Sequence, residues 1–263
     1  MEIIPLLRRD RWLTIGGLAI VVIVTSAYVL HGAGMGMSAL DMTRMPRDME
    51  MPQPAWTFGY AALMFAMWWL MMTSMMLPSA VPVLLLVSAL NRKASPDRRP
   101  YGATALFAAG YLVAWAGFSV AAVATQAWLT ANGSLSSMLD VGDGALAAVM
   151  LVAAGLWQLT PLKRACLRRC RSPVQFLTAR RRSGAFGALA MGMEHGAYCV
   201  GCCWLMMALL FVGGIMNLYW IAGLALYALA EKLLPGGERI ARIGGAALLA
   251  SGLALLAAVV LRA

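Results

Sequence analysis

Charge is what this sequence has least of. Asp, Glu, Lys and Arg make up 12% of its 263 residues, about half the roughly 25% of a soluble globular chain. That shortage excludes a soluble domain wrapped in a hydrophilic shell. Histidine is rarer still, with His31 and His195 alone. Five cysteines are an odd number and cannot all pair internally. No glycine-rich phosphate loop is present, so a nucleotide-driven motor is excluded, and movement of any cargo would draw on gradients, ligand exchange or an acceptor's affinity. No small-x-small cleavage site follows the first apolar run, which is also longer than the roughly 7–15 residues of a signal-peptide core. The expectation there is an uncleaved helix.

What is present is apolar. The chain is 62% hydrophobic with a mean hydropathy of +0.76. Runs of about 18 or more apolar residues recur, which is the signal of membrane-spanning helices. Seven spans are predicted, over residues 12–30, 57–88, 103–126, 144–161, 185–213, 215–234 and 243–261. The expected fold class is therefore an all-α polytopic transmembrane bundle. Residues 1–263 form one membrane domain, with a core at 57–245. Of 21 Lys and Arg residues, all but Arg44, Arg47 and Arg262 fall at the N-terminus or in the stretches 91–100, 163–182 and 232–242. The positive-inside rule then puts the N-terminus in the cytoplasm and the C-terminus outside. The net charge of +10 is accounted for by this bias and by contact with anionic lipid, without invoking nucleic acid.

Soft ligands are concentrated in three places. The outer loop at 31–56 carries His31, Met35, Met37, Met42, Met45, Met49 and Met51 among glycines and prolines. Spaced thioethers with one imidazole suit a capture arm for Cu(I). The second place is "MEHGAYCVGCCWLMM", residues 193–207. At helical spacing, Met191, His195, Cys199, Cys202 and Met206 share one stripe, with Cys203 beside it. Glu194 is adjacent and is a candidate to orient a ligand or carry a proton. The third is "MFAMWWLMMTSMMLPS", residues 64–79, where Met64, Met67, Met71 and Met75 form a stripe flanked by Met72 and Met76. Pro78 and Pro82 follow and predict a kink. Counting about 1.5 Å per residue from the outer surface, Met67 and Cys203 both lie about 15 Å deep, and Met71 and Cys199 about 21 Å. The two clusters are thus expected to share one slab of the bilayer.

Thiolate, thioether and imidazole together select Cu(I), and methionine disfavours Zn(II), which is the less suitable ion here. Two alternatives stand beside a copper carrier. One is a thiol–disulfide oxidoreductase that uses the Cys199/Cys202 pair with a quinone. The other is a membrane enzyme with redox-active copper. Cys166 and Cys170 in "CLRRC" are expected to be ordinary reduced surface cysteines, the alternative being a cytoplasmic docking site for copper. Glu231, beside Lys232 near the cytoplasmic end of the sixth span, is expected to make a snorkelling ion pair there.

"MWWLMMTSMMLPS" (67–79), "EHGAYCVGCCWLMMALLFVGGIMNLYWI" (194–221) and "AEKLLPGG" (230–237) resemble a bacterial family of metal-binding integral membrane proteins. That family was long catalogued only as a domain of unknown function and is named after the membrane partner of a tyrosinase-type polyphenol oxidase. The likeness covers about residues 57–245. Its pattern falls on Met67, Trp68, Met71, Met72, Met75, Met76 and Pro78, on His195, Cys199, Cys202, Cys203 and Trp204, and on Asn217, Trp220 and Glu231. Ser74 stands where the family commonly has Ala. The resemblance implies a multi-pass protein of the bacterial inner membrane that binds copper and delivers it to a copper-requiring acceptor, in the manner of a copper chaperone. Asn217 is expected either to cap the sixth span or to hydrogen-bond across the turn, and Trp220 fits an interfacial anchor.

The skew of basic residues makes the topology testable. A reporter fused after Ala263 should read as extracytoplasmic and one inserted near Arg181 as cytoplasmic; a cytoplasmic C-terminus would sink the seven-span reading.

Overall fold

Each predicted span falls on a helix, and short polar or proline-bearing segments punctuate them. The computed structural model describes residues 3–44, 54–94, 101–136, 139–179, 182 and 184–262. The elements are α1 (Ile3–Leu30), α2 (Ala39–Arg44), α3 (Phe58–Ala94), α4 (Tyr101–Ala131), α5 (Gly144–Leu159) and α6 (Pro161–Arg171), then α7 (Pro173–Ala179), α8 (Gly184–Ala208), α9 (Leu210–Gly213), α10 (Leu218–Leu233) and α11 (Gly237–Val260). Among the described residues the only β-type pairing is one isolated bridge, Leu135 to Val141.

Among the described residues, five helices are long and apolar enough to cross a membrane: α1, α3, α4, α8 with α9, and α11. This is the pattern of a multi-pass membrane protein. Seven was the expectation. The difference lies in α5 and α10, each of 16 residues. At about 1.5 Å per residue they are about 24 Å long, short of a hydrocarbon core of about 30 Å. Hydropathy runs straight through their ends, but capping chemistry stops the helices. Thr160 caps α6, its hydroxyl accepting from the Lys163 N–H with Pro161 in the first turn, and the chain bends there by 64°. If α5 and α6 are one bent span, the count is six. Asn217 caps α10 as expected, its side-chain oxygen accepting from the N–H groups of Tyr219 (3.0 Å) and Trp220 (3.2 Å).

The core lies around α3 and α8. About half of the apolar window of each is buried, against 11% for α1 and for α11, which are peripheral. Helix α4 packs most closely on α8, α5 on α11, and α1 on α3, while α10 lies against α3. A seam of small residues sets the α4–α8 distance. A Cβ on Gly110 would meet the Leu189 carbonyl oxygen at 2.1 Å, and one on Gly192 would meet that of Phe107 at 2.0 Å. Only glycine permits two backbones to come this close. One turn on from Gly192, Gly196 would place a Cβ 2.6 Å from that of Ala114. The seam brings Tyr111 of α4 beside Cys199 of α8.

Not all basic residues of the skewed loops face solvent. Arg92 is buried, donating to Asp10 through Nε (2.5 Å) and Nη2 (3.0 Å), and Tyr101 donates to the same carboxylate at 2.6 Å. This bidentate pair ties α1 to α3. Lys163 and Lys232 are buried as well.

The seam predicts a contrast within one helix. Gly110→Ala drives a methyl into backbone that no rotamer change can relieve, and overpacking of this kind costs about 1–3 kcal/mol. Gly117→Ala, whose added methyl meets nothing within 4 Å, should be neutral or slightly stabilising. Thermal unfolding of the two variants in detergent checks this, and equal midpoints would refute the seam.

Candidate metal centre

The stripe predicted on residues 191–206 is real and faces inward. Met191, His195, Cys199, Cys202, Cys203 and Met206 are all buried. The helical spacing of "HGAYCVGCC" stacks these side chains over successive turns. The thiols of Cys202 and Cys203 both lie against the Cys199 carbonyl oxygen, at 3.1 and 2.9 Å. All five cysteines are free thiols.

Helix α3 brings its own buried row. Met64, Met67, Met71, Met72 and Met76 are fully enclosed, and Met75 nearly so. Met76, which shares Lys232 and Tyr111 as neighbours with Cys199, lies five residues beyond the Met71 that the depth count paired with Cys199. Five residues amount to about 7.5 Å. The count took both helices as straight and upright. In the structure α3 runs for 37 residues with Pro78 and Pro82 inside it, and α8 breaks near Leu209 before the short α9. A helix about 55 Å long must tilt to fit a bilayer, so residue number no longer measures depth. At the other end of the row, Met64 accepts from Gln126 Nε2 at 3.4 Å, and Trp68 Nε1 donates to Gln126 Oε1 at 2.9 Å.

At the centre of the cluster stands a residue that sequence reasoning placed elsewhere. The Lys232 ammonium is buried, with Nζ 3.0 Å from Cys199 Sγ, 3.8 Å from Cys203 Sγ, 3.5 Å from Met76 Sδ and 3.4 Å from Ser79 Oγ. Helices α3, α8 and α10 therefore converge on one cation position. Tyr111 closes the fourth side from α4, its hydroxyl donating to the Met76 carbonyl (3.1 Å) and lying 3.0 Å from Cys199 Sγ.

Glu231 does not pair with Lys232. Lys163 of α6 takes both of its oxygens, at 2.6 and 2.8 Å, and Gln158 of α5 donates to it at 3.2 Å. This pair is wholly buried, which replaces the expected snorkelling pair at the membrane surface. Two successive residues on a helix point about 100° apart, so Glu231 and Lys232 reach different neighbours. The readable signal was an ionisable pair inside an apolar helix, where burial rather than snorkelling is the functional default.

His195 is 3% exposed, and its Nδ1 has no hydrogen-bond partner. Its ring sits among Phe176 (5.2 Å between centroids), Phe107 (5.9 Å) and Tyr111 (6.0 Å). A buried, orphaned imidazole nitrogen is uncommon and calls for an explanation. Glu194 faces away from the stripe, accepting from the Tyr198 hydroxyl (3.4 Å) and lying 3.8 Å from Arg182 Nη2. Trp204 lies on the outer side of α8, edge-on to Trp157 at 5.5 Å. Trp220 donates to the Leu209 carbonyl at 2.6 Å and packs over Gly213, where a Cβ would lie 2.3 Å from its ring. It clamps the turn between α9 and α10.

Cys170 was expected at the surface with Cys166. Both are half-buried, on the side of α6 that packs against α8. Cys170 packs against the buried cluster that contains Cys199, Cys202 and Cys203. Cys166 Sγ rests 3.2 Å from where Gly201 would carry a Cβ. Of the loop at 31–56, His31 is exposed, Met37 is half-buried, and Met35 and Met42 pack on the core. Met45, Met49 and Met51 lie outside the described residues.

Among the described residues, no three His, Cys, Asp or Glu side chains stand ready as a closed metal site. The arrangement is of another kind, with thiols and a thioether gathered around a cation position that an ammonium fills. Comparison with curated proteins and with solved structures gives no match. Comparison with family models gives a match, over residues 65–255, to the family described as PpoB2, copper chaperone. That stretch includes the methionine row of α3 from Met67 on, the thiols of α8 and the Glu231–Lys232 pair of α10, and on this match the chain belongs to the PpoB2 copper chaperone family.

Proposed function

We propose that this protein carries Cu(I) within the bacterial inner membrane and hands it to a copper-requiring acceptor protein. The observation that carries the reading is the convergence of Cys199, Cys203 and Met76 on the single position held by the Lys232 ammonium. Thiol and thioether sulfur are the donors that Cu(I) selects, and three such donors suffice for a cuprous ion. The orphaned Nδ1 of His195 and the thiol of Cys202 extend the donor set on the same helix. Met67, Met71, Met72 and Met75 offer further thioethers along the buried face of α3, and Met206 lies one turn past Cys202.

Charge supports the same ion. A buried charge is tolerated only with partners. Glu231 is already matched by Lys163, so sulfur and a hydroxyl meet the charge of Lys232. Cu(I) also carries one positive charge. It enters the place of the ammonium without changing the net charge of the enclosed site, whereas a divalent ion adds a charge with no carboxylate to meet it. This favours Cu(I) over Zn(II).

The basic segments about α6 and before α11 then face the cytoplasm. The loop after α1, with His31, Met35, Met37 and Met42, lies on the outer side and serves as a capture or release surface. Asn217 and Trp220 fix the turn that aims α10 and hence Lys232.

The test is a Cu(I) competition titration of the purified protein in detergent. Cys203→Ser and Met76→Leu should each weaken binding by at least about tenfold, the lower end of what even a ligand-supporting residue costs. Met64→Leu, at the Gln126 end of the same row, should leave it unchanged. A stable, copper-insensitive Cys199–Cys202 disulfide in cells would instead favour the oxidoreductase.

A further inference from the structure

The enclosed site has a thiol-lined approach that the copper reading does not need but that the structure provides. Helix α6 is strongly amphipathic by sequence, "PLKRACLRRCR". Its inner side holds Lys163 and Leu167, both buried, and the half-buried Cys166 and Cys170. Residues four apart are neighbours on a helix. Cys170 in turn packs against the buried cluster that holds Cys199 and Cys202, where α6 lies on α8. Cys166 lies beside Gly201, the residue inside the C-x-x-C pair that offers no side chain. The thiols thus run from the half-exposed Cys166 through Cys170 to the enclosed Cys199 and Cys203.

The rim of this approach is cationic. Arg168 is 62% exposed and sits 3.7 Å from Glu238. The Arg169 guanidinium lies 4.7 Å over the Tyr198 ring and donates to its hydroxyl. Tyr198 bonds Glu194, and Glu194 faces Arg182, itself 52% exposed. Three arginines against two glutamates leave the rim positive.

Resting on the proposed function, we infer that Cys166 and Cys170 form the port through which Cu(I) exchanges between the enclosed site and an anionic dithiolate Cu(I) complex on the α6 side. The exchange is associative. A bond from Cys166 sulfur to Cu(I) forms as one donor thiolate leaves, and the Cys166 proton passes to that thiolate. Cys170 then displaces the second donor thiolate in the same way. Cys199 and Cys203 next take the ion as the bonds to Cys170 and Cys166 break, each attacking thiol passing its proton to the thiolate it displaces. Copper stays Cu(I) throughout, so no oxidant or reductant is consumed. The arginine rim draws the anionic complex to the port.

The experiment uses the full chain in detergent and the Cu(I)–glutathione complex as probe. Cys166→Ser should load at least about tenfold more slowly than the parent while its equilibrium affinity stays the same, since mutational effects confined to an encounter step span about one to three decades in rate. Loading of the parent should slow as salt rises, because screening weakens the rim's attraction. A measurement on the parent guards against a misfolded variant: a brief pulse of charged alkylating reagent should modify Cys166 before Cys199, Cys202 or Cys203, and the modified protein should load slowly. Loading of Cys166→Ser at the parental rate overturns the port and leaves the enclosed site standing. A parent that binds no Cu(I) at equilibrium overturns the enclosed site and the port with it.

Discussion

Two adjacent charges on α10 hold the centre of this molecule together. Glu231 turns toward α5 and α6, where Lys163 and Gln158 meet it, and Lys232 turns toward α3 and α8, where sulfur meets it. An unmatched charge in a dry interior costs several kcal/mol, so each partner must be present for the other to stay buried. Five helices are thereby referred to one dipeptide. The bend at Thr160 is part of the same arrangement, because it swings α6 across so that Lys163 can reach Glu231. Arg171 reinforces the junction by donating to the Glu231 and Leu234 carbonyls at the end of α10.

Much of the helical layout was legible because hydropathy and capping chemistry are local. The apolar runs gave the long helices, and Asn217 after two glycines announced the start of α10. The inward stripe of His195, Cys199 and Cys202 was legible too, since helical periodicity fixes which residues share a face. What escaped was whatever depends on a third helix. Nothing in "AEKLL" tells which of its charges meets a carboxylate-binding lysine and which meets thiols. Tyr111 is one aromatic among many in an apolar run until Gly110 brings its helix against α8. Cys170 reads as a surface thiol in an arginine-rich segment, and only the bend before α6 folds it back onto the stripe. The depth count failed between Met71 and Met76 for a related reason, since it treats a long, proline-bearing helix as an upright ruler.

The buried cations also change how the basic residues are to be understood. Arg92, Lys163 and Lys232 belong to the skewed set that suggests orientation, yet all three are consumed by internal partners. On α6, Arg168 and Arg169 by contrast remain exposed. One set of residues therefore serves two ends, part as structural counter-charge and part as surface potential.

The glycine seam between α4 and α8 has a consequence for how an ion gets in. With backbone against backbone at Gly110 and Gly192, those two helices cannot slide or separate without losing their contact altogether. Tyr111 and the thiols are therefore fixed walls. The part of the cluster free to yield is the end of a four-carbon tether, since the lysine side chain turns about its own single bonds while its helix stays in place. On the proposed function, admission of a monovalent metal would resemble lifting a latch more than opening a door: the ammonium would withdraw while the sulfurs keep their places, with almost no rearrangement of the fold.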